Sequence, residues 1–216
     1  GMSPADLTPA EQKILRRLST PAKIQDFLNT LPFNFERAGE TLRSPRRVLR
    51  DRTAHCLEGA LLAAAALQLH GEAPLLLDLK TDSRGGDSDH VVALFRRRGL
   101  WGAISKTNHA VLRYREPVYR TVRELALSYF HEYFLDTGAK TLRSYSKPFD
   151  LRRVAKRGWP TDERDLWWLS KMLDSSPHTA IAPKATLRDL RRAESIEIEA
   201  GKITEWPNRA SRRHLV

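Results

Sequence analysis

The sequence predicts an α+β fold in which a helical N-terminal part, built around one apolar helix, packs on an antiparallel β-sheet. Three observations support this prediction. Helix starts that combine a capping residue with proline occur at Thr8-Pro9, Thr20-Pro21 and Ser44-Pro45. The stretch 52–71, RTAHCLEGALLAAAALQLHG, is apolar on most of its surface, which is typical of a central helix. Two buried-strand patterns follow at 74–79 and 90–95, joined by the polar turn TDSRGGDSD.

The later elements are predicted from the same kinds of pattern. The apolar helix is expected to be capped by Thr53, which would place Cys56 at its third position, and to stop at Gly71. A third strand is predicted at 100–105. Apolar residues at helical spacing predict a long amphipathic helix over 117–135 and another helix over 162–173. Alternation of apolar and polar residues predicts a small hairpin over 194–206, followed by a mobile tail from Pro207.

Composition restricts the class of protein. The 216 residues include 41% hydrophobic and 29% charged residues, as in an ordinary globular chain with a real core. The longest apolar run, 60–67, is too short to span a bilayer, so we expect no membrane association and a cytoplasmic location. A single cysteine forms neither an internal disulfide nor a thiolate zinc site, and glycine-rich nucleotide motifs are missing. We therefore expect no metal and no cofactor.

The net charge of +11 is carried mainly by arginines that cluster at 43–52, 96–98, 152–157 and 209–213. Such a charge makes nucleic acid or another polyanion a candidate partner. The sequence contains no zinc-finger spacing, RNP pattern or KH-type loop, so an arginine-rich solvated surface is the simpler interpretation.

Cys56, the one cysteine of the chain, lies in the first turn of the apolar helix. The unpaired N–H groups and the dipole at a helix N-terminus favour a thiolate, which is the nucleophilic form of cysteine. A thiolate needs a histidine to hold the ion pair and to protonate the leaving group. His90 is the best candidate, because it begins the strand that follows the polar turn. His55 is a poorer one, since neighbouring residues on a helix point about 100° apart.

The order of these elements resembles the transglutaminase-like superfamily of papain-like cysteine proteins. The resemblance is carried by SPRRVLRDRTAHCLEGALLAAAALQLHGEAPLLLDL and DHVVALFRRRGLWGAISKT, and it covers roughly residues 20–135. It implies a papain-like core, which we place at 2–140 after setting Gly1 aside as an expression remnant. A basic C-terminal extension at 141–216 would then carry the later helix and the hairpin, packed on the core. The resemblance also implies acyl transfer by a Cys-His-Asp triad, with Cys56 as nucleophile and His90 as base.

The third triad position departs from the family pattern. The family has an aspartate about four residues after the tryptophan of the third strand, and this chain has Ser105 there. A serine hydroxyl can bond the imidazole but brings no negative charge. Asn108 is an alternative group to orient the histidine. The backbone N–H of Cys56 and the side chain of Asn34 are candidate oxyanion donors.

Three functional hypotheses follow. The first is a transglutaminase-like cysteine hydrolase or acyltransferase that acts on a peptide or amide bond of a peptide or protein substrate. The second is an inactive protein of the same fold that binds a peptide or protein partner in the same cleft. The third is a polyanion-binding protein, whose binding would fall steeply with salt and would not depend on Cys56.

Overall fold

The computed structural model describes residues 6–82 and 84–208. Its N-terminal part consists of four helices: α1 (Pro9–Arg17), α2 (Pro21–Thr30), α3 (Pro45–Asp51) and α4 (Cys56–Leu69). Each of the first three begins as predicted, with the side chain of the capping Thr8, Thr20 or Ser44 accepting a backbone N–H of the first turn. These helices pack around α4, whose residues from Leu57 to Leu67 are all buried. The apolar stretch is therefore the central helix of the fold, as the sequence predicts.

The stop predicted at Gly71 is confirmed: α4 ends at Leu69, and Gly71 follows the cap residue His70. Gly71 has a positive φ of 84°, a conformation that glycine adopts at little cost. Its N–H bonds Gln68 O, and the N–H of Glu72 bonds Leu67 O, which together form a Schellman motif.

The sheet contains seven antiparallel strands: β1 (Leu75–Thr81), β2 (His90–Arg97), β3 (Leu100–Ile104), β4 (Arg115–Tyr119), β5 (Leu142–Ser146), β6 (Phe149–Asp150) and β7 (His178–Ala180). Their order is β4-β3-β2-β1-β5-β7, and β6 also pairs with β1. The three strands after residue 140 thus extend the sheet that the earlier strands begin. The architecture is α+β, with α4 packed against β2 and β1.

Both faces of the sheet are buried, which accounts for the continuous apolar runs in the first two strands. One face packs on the N-terminal helices through residues such as Leu76, Val91 and Ala93. The opposite face presents Leu77 and Val92 to a second cluster. That cluster includes α5 (Val122–Leu127) and the tyrosines of the segment that follows it.

The prediction of one long helix over 117–135 is wrong. This segment forms the edge strand β4, the short helix α5 and a 3₁₀ turn at Phe130–Glu132. Thr121 caps α5 from an extended conformation and so separates the strand from the helix. The exposed edge of the sheet tolerates Pro117 within β4, because proline lacks the N–H that an inner strand would need. The apolar residues that show helical spacing in this segment lie in or next to three different elements: β4, α5 and the 3₁₀ turn.

The C-terminal part contains a 3₁₀ segment (Leu151–Arg157) and the helices α6 (Trp167–Ser175), α7 (Lys184–Arg188) and α8 (Ser195–Gly201). The helix predicted at 162–173 is present but starts later. The prediction of a hairpin at 194–206 is wrong, because α8 occupies the first half of this segment. The side chains of Glu194 and Glu197 close a capping box at its start. Most of the predicted mobile tail, residues 209–216, lies outside the described residues.

Candidate active site

Cys56 is the first residue of α4, and His55 caps the helix. The predicted cap, Thr53, instead donates its hydroxyl to the carbonyl of Pro32. Cys56 is therefore at N1, where its backbone N–H has no acceptor within the helix. Its side chain is half-buried and lies beside the positive end of the α4 dipole.

Two histidines flank the Cys56 thiol. Burial alone would raise the pKa of the thiol, but hydrogen bonds with His55 and His90 and their charge lower that pKa to about 5. Burial would likewise lower the pKa of His55, but its contacts with Cys56 and the charge of Glu58 raise it to about 9. These pKa values favour a thiolate next to an imidazolium at neutral pH. The expectation that His55 would point away from Cys56 is wrong, because His55 precedes the helix in an extended conformation.

His90 is held by Ser105. Because β2 and β3 are antiparallel, the start of β2 lies beside the end of β3, and His90 Nε2 is 2.8 Å from Ser105 Oγ. The single hydroxyl proton of Ser105 is donated to the carbonyl of Leu112 at 2.6 Å. Ser105 Oγ therefore accepts from His90 Nε2–H, and Nδ1 is the nitrogen that remains for the thiol. Both His90 and Ser105 are buried.

A buried carboxylate lies behind His55. Glu58 is completely inaccessible, and its two oxygens accept four hydrogen bonds: from Asn34 Nδ2 at 2.8 Å, His55 N at 3.0 Å, Thr41 Oγ1 at 2.9 Å and Arg43 N at 2.7 Å. The Arg43 guanidinium is 3.5 Å away. Burial raises the pKa of Glu58, but the His55 charge and these hydrogen bonds lower it below its ordinary value. Glu58 is thus a fixed negative charge at the first turn of α4.

The two asparagines proposed from the sequence are engaged elsewhere. Asn108 bonds the backbone of Trp206 through both amide atoms, at 2.9 and 2.7 Å, while Ser105 occupies His90 Nε2. Asn34 donates its amide protons to Thr41 and Glu58, so neither proton is directed at a substrate oxygen. Of the two candidate oxyanion donors, only the backbone N–H of Cys56 therefore remains a candidate.

Cys56 lies between two clefts. One has a volume of about 670 Å³ and is lined by Phe33, His55 and residues of α6; the other, of about 630 Å³, is lined by His90, Lys106 and Thr107. Cys56 belongs to the walls of both.

The first cleft has an acidic wall. Carboxylate oxygens of Asp78, Asp89 and Asp174 lie within 4.8 Å of one another. Each already has a partner: Asp78 Oδ2 is 2.8 Å from His178 Nε2, Asp89 accepts from the backbone of Thr81, and Asp174 pairs with Lys80. Burial raises the pKa of Asp78 to about 6, although His178 opposes the shift. These internal contacts explain why the three carboxylates can lie so close together.

The arginine cluster at 43–52 is largely neutralised. Four of its guanidinium groups lie within 4 Å of carboxylates, in the pairs Arg43–Asp51, Arg46–Glu11, Arg47–Asp165 and Arg50–Glu163. Cluster 209–213 lies outside the described residues. Among residues 6–82 and 84–208, no helix is long and apolar enough to cross a membrane.

Sequence reasoning missed His55 and Glu58. The available signal was the spacing His55-x-x-Glu58, since a glutamate at N3 is the second half of a capping box. Glu58 is also the one charged residue of α4, and a lone carboxylate in an apolar helix needs buried partners.

Comparison with known proteins adds no family to this description: no family model matches the chain, and no curated protein matches it significantly.

Proposed function

We propose that the protein is a cysteine hydrolase or acyltransferase of transglutaminase-like design that acts on a peptide or amide bond. The observation that carries the proposal is the Cys56 thiol at the N-terminus of α4, which interacts with both His55 and His90 and lines a cleft on either side. Nucleophilic cysteines require this electropositive, partly accessible setting, whereas a core cysteine does not.

The chemistry follows from the positions of the side chains. The Cys56 thiolate attacks the carbonyl carbon, and the backbone N–H of Cys56 stabilises the oxyanion. As the C–N bond breaks, His90 gives its Nδ1 proton to the departing amine, which leaves a thioester on Cys56. Water or a second amine then attacks the thioester, His90 takes the proton from that nucleophile, and the thiolate is released.

Ser105 supports this assignment of roles although it carries no charge. Its oxygen accepts His90 Nε2–H, and its own proton is committed to Leu112 O, so the imidazole is held with Nδ1 toward the thiol. Orientation is the part of the triad aspartate's work that a serine can supply.

The test is to trap the thioester. The protein is incubated with a panel of peptide p-nitroanilides and activated esters, quenched in acid, and digested for mass spectrometry. We expect an acyl adduct on Cys56 that is missing from Cys56→Ala. With the activated esters, whose leaving group needs no proton from His90, the adduct should persist longer in His90→Asn, because hydrolysis of the thioester needs the base.

The absence of an adduct with every donor, in a protein whose Cys56 iodoacetamide labels completely, would contradict the proposal. The cleft would then be a binding site for a peptide or protein partner.

A further inference from the structure

We propose that His55, supported by Glu58, supplies the fixed positive charge that keeps Cys56 ionised, so that His90 is free to exchange protons during the reaction. Cys56 and His55 would thus form an ion pair of sequence neighbours, and the Cys56–His90 contact would serve proton transfer. The role of His90 in proton transfer rests on the proposed function, but the ion pair of Cys56 and His55 can be tested without a substrate.

The geometry of His55 fixes one ring nitrogen and leaves the other with two partners. His55 Nε2 is 2.7 Å from the carbonyl of Thr41, which can only accept, so Nε2 carries a proton. His55 Nδ1 faces the backbone N–H of Glu58 at 3.4 Å, and because Nε2 is taken by Thr41, Nδ1 is the nitrogen left to interact with the Cys56 thiol. A neutral ring would accept the N–H of Glu58, and a charged ring would donate to the sulfur.

The strengths of the two alternative hydrogen bonds of His55 Nδ1 favour the charged ring. The Glu58 N–H bond is long, near the limit at which such a contact counts as a hydrogen bond, so little is lost when it breaks. A hydrogen bond between an imidazolium and a thiolate is charge-assisted and therefore stronger.

Glu58 supplies the negative charge that a buried imidazolium requires. Its Oε1 lies 3.5 Å from His55 Nε2, and it receives His55 N as well. Because its remaining lone pairs are taken by Asn34, Thr41 and Arg43, the carboxylate stays in place and ionised. Glu58 acts through His55 and is a positioning residue, whereas His55 interacts with the reacting sulfur.

His90 lacks such support. Its Nε2 partner is the neutral Ser105, which offers orientation without charge. The negative charge that a triad aspartate would place behind the base is found behind His55 instead. With an imidazolium at His55, part of the interaction that keeps Cys56 ionised persists when His90 gives up its proton. His90 can then give a proton to the leaving amine and regain one from water without neutralising the nucleophile.

The ionisable groups around this pair come from every neighbouring element. Tyr133 contributes a hydroxyl whose pKa is raised by burial, so it stays neutral. His90 lies at the start of β2, and Arg43 lies behind Glu58. The other charged or titratable residues that line the two clefts are Glu36, Asp78, Asp87, Asp89, His109, Glu132, Asp136, Asp174, Lys106 and Lys171.

The experiment is the pH profile of iodoacetamide labelling of Cys56 in the full chain. His55→Asn keeps a strong helix-capping side chain and removes the charge. His90→Asn is the matched substitution at the other histidine, and Glu58→Gln tests the support. Circular dichroism and urea unfolding confirm that each variant is folded under the labelling conditions.

We expect the labelling midpoint of the wild type near pH 5. His55→Asn should raise it by about two units, because an adjacent opposite charge is worth roughly one to three. Glu58→Gln should raise it in the same direction. His90→Asn should raise it too, because the charge of His90 also lowers the Cys56 pKa, but by less than His55→Asn, since the hydrogen bond with His55 is the largest of the lowering causes. A large shift in His90→Asn with little change in His55→Asn would overturn the inference.

A second measurement keeps the inference testable if His55→Asn does not fold. NMR titration of the His55 ring in the wild type and in Cys56→Ser should show the His55 pKa falling when the thiolate is removed. An unchanged His55 titration would contradict the ion pair. Failure of acyl trapping with these shifts intact would reject the proposed reaction and leave the ion pair standing.

Discussion

Replacing Glu58 with glutamine removes the charge at the first turn of α4 while keeping the size of the side chain. In the wild type, each Glu58 oxygen accepts two hydrogen bonds from Asn34, His55, Thr41 and Arg43. The amide nitrogen of glutamine would face two of these donors and could accept from neither.

The expected loss of stability can be estimated from those contacts. Two charge-assisted hydrogen bonds at roughly 1.5 kcal/mol each give about 3 kcal/mol of unfolding free energy. Urea unfolding of Glu58→Gln at neutral pH measures this loss. Glu163→Gln is the matched control, since Glu163 and its partner Arg50 are exposed and solvent screens their pairing, so we expect little change in stability.

The pH dependence gives a second check on the same variant. The pKa of Glu58 is lowered in the folded protein, so its contribution is fully present above the unfolded value of about 4.3 and is lost as the pH falls through the folded pKa. The stability difference between wild type and Glu58→Gln should therefore narrow in acid. A neutral-pH loss below about 1 kcal/mol, or a difference that widens in acid, would show that Glu58 is not an ionised acceptor of these hydrogen bonds.

Three further predictions concern the residues around this site. Ser105→Ala should cost about 1–3 kcal/mol in urea unfolding, since it leaves His90 Nε2 and Leu112 O buried without their partner; a neutral effect would contradict the hydrogen-bond assignment. Gly59→Ala should destabilise the protein although alanine favours helices, because its Cβ would lie 2.4 Å from Lys106 Cβ; a gain in melting temperature would show that α4 can shift. Burial lowers the pKa of Lys106 to about 8, so the stability of the wild type relative to Lys106→Met should increase between about pH 8 and 10, and a flat difference in urea midpoints would contradict it.

The parts of the fold that the sequence predicts well have local causes. Caps followed by proline start α1 to α3, and Gly71 ends α4, because these residues satisfy helix ends by their own geometry. The apolar run of α4 predicts its central position, since only a helix surrounded by protein can be apolar on most of its surface.

The parts that fail depend on contacts distant in sequence. The apolar spacing of 117–135 is the same whether the segment is one helix or a strand, a turn and a short helix. Pairing of β4 with β3 decides between them, and that pairing follows from the position of the sheet edge. In 194–206 the apolar alternation was outweighed by the capping box of Glu194 and Glu197, a local signal that was present but overlooked.

The candidate site shows the same division. The expectation that Ser105 meets His90 comes from the resemblance, which places the third triad member about four residues after Trp101. The hydrogen bond between the two side chains forms because β2 and β3 are antiparallel. The interaction of His55 with Cys56 could not be obtained from helical angles, because His55 stands outside the helix as its cap. Placing the cap two residues too early, at Thr53, concealed the second histidine.

The central claim, that Cys56 is ionised at neutral pH, is tested most directly by a thiolate titration. The ultraviolet absorbance of the thiolate is followed with pH in the wild type and in Cys56→Ser, and the difference isolates the single cysteine. A midpoint near 5 is the predicted result. A midpoint near 8.5, the value of an ordinary thiol, would contradict the account.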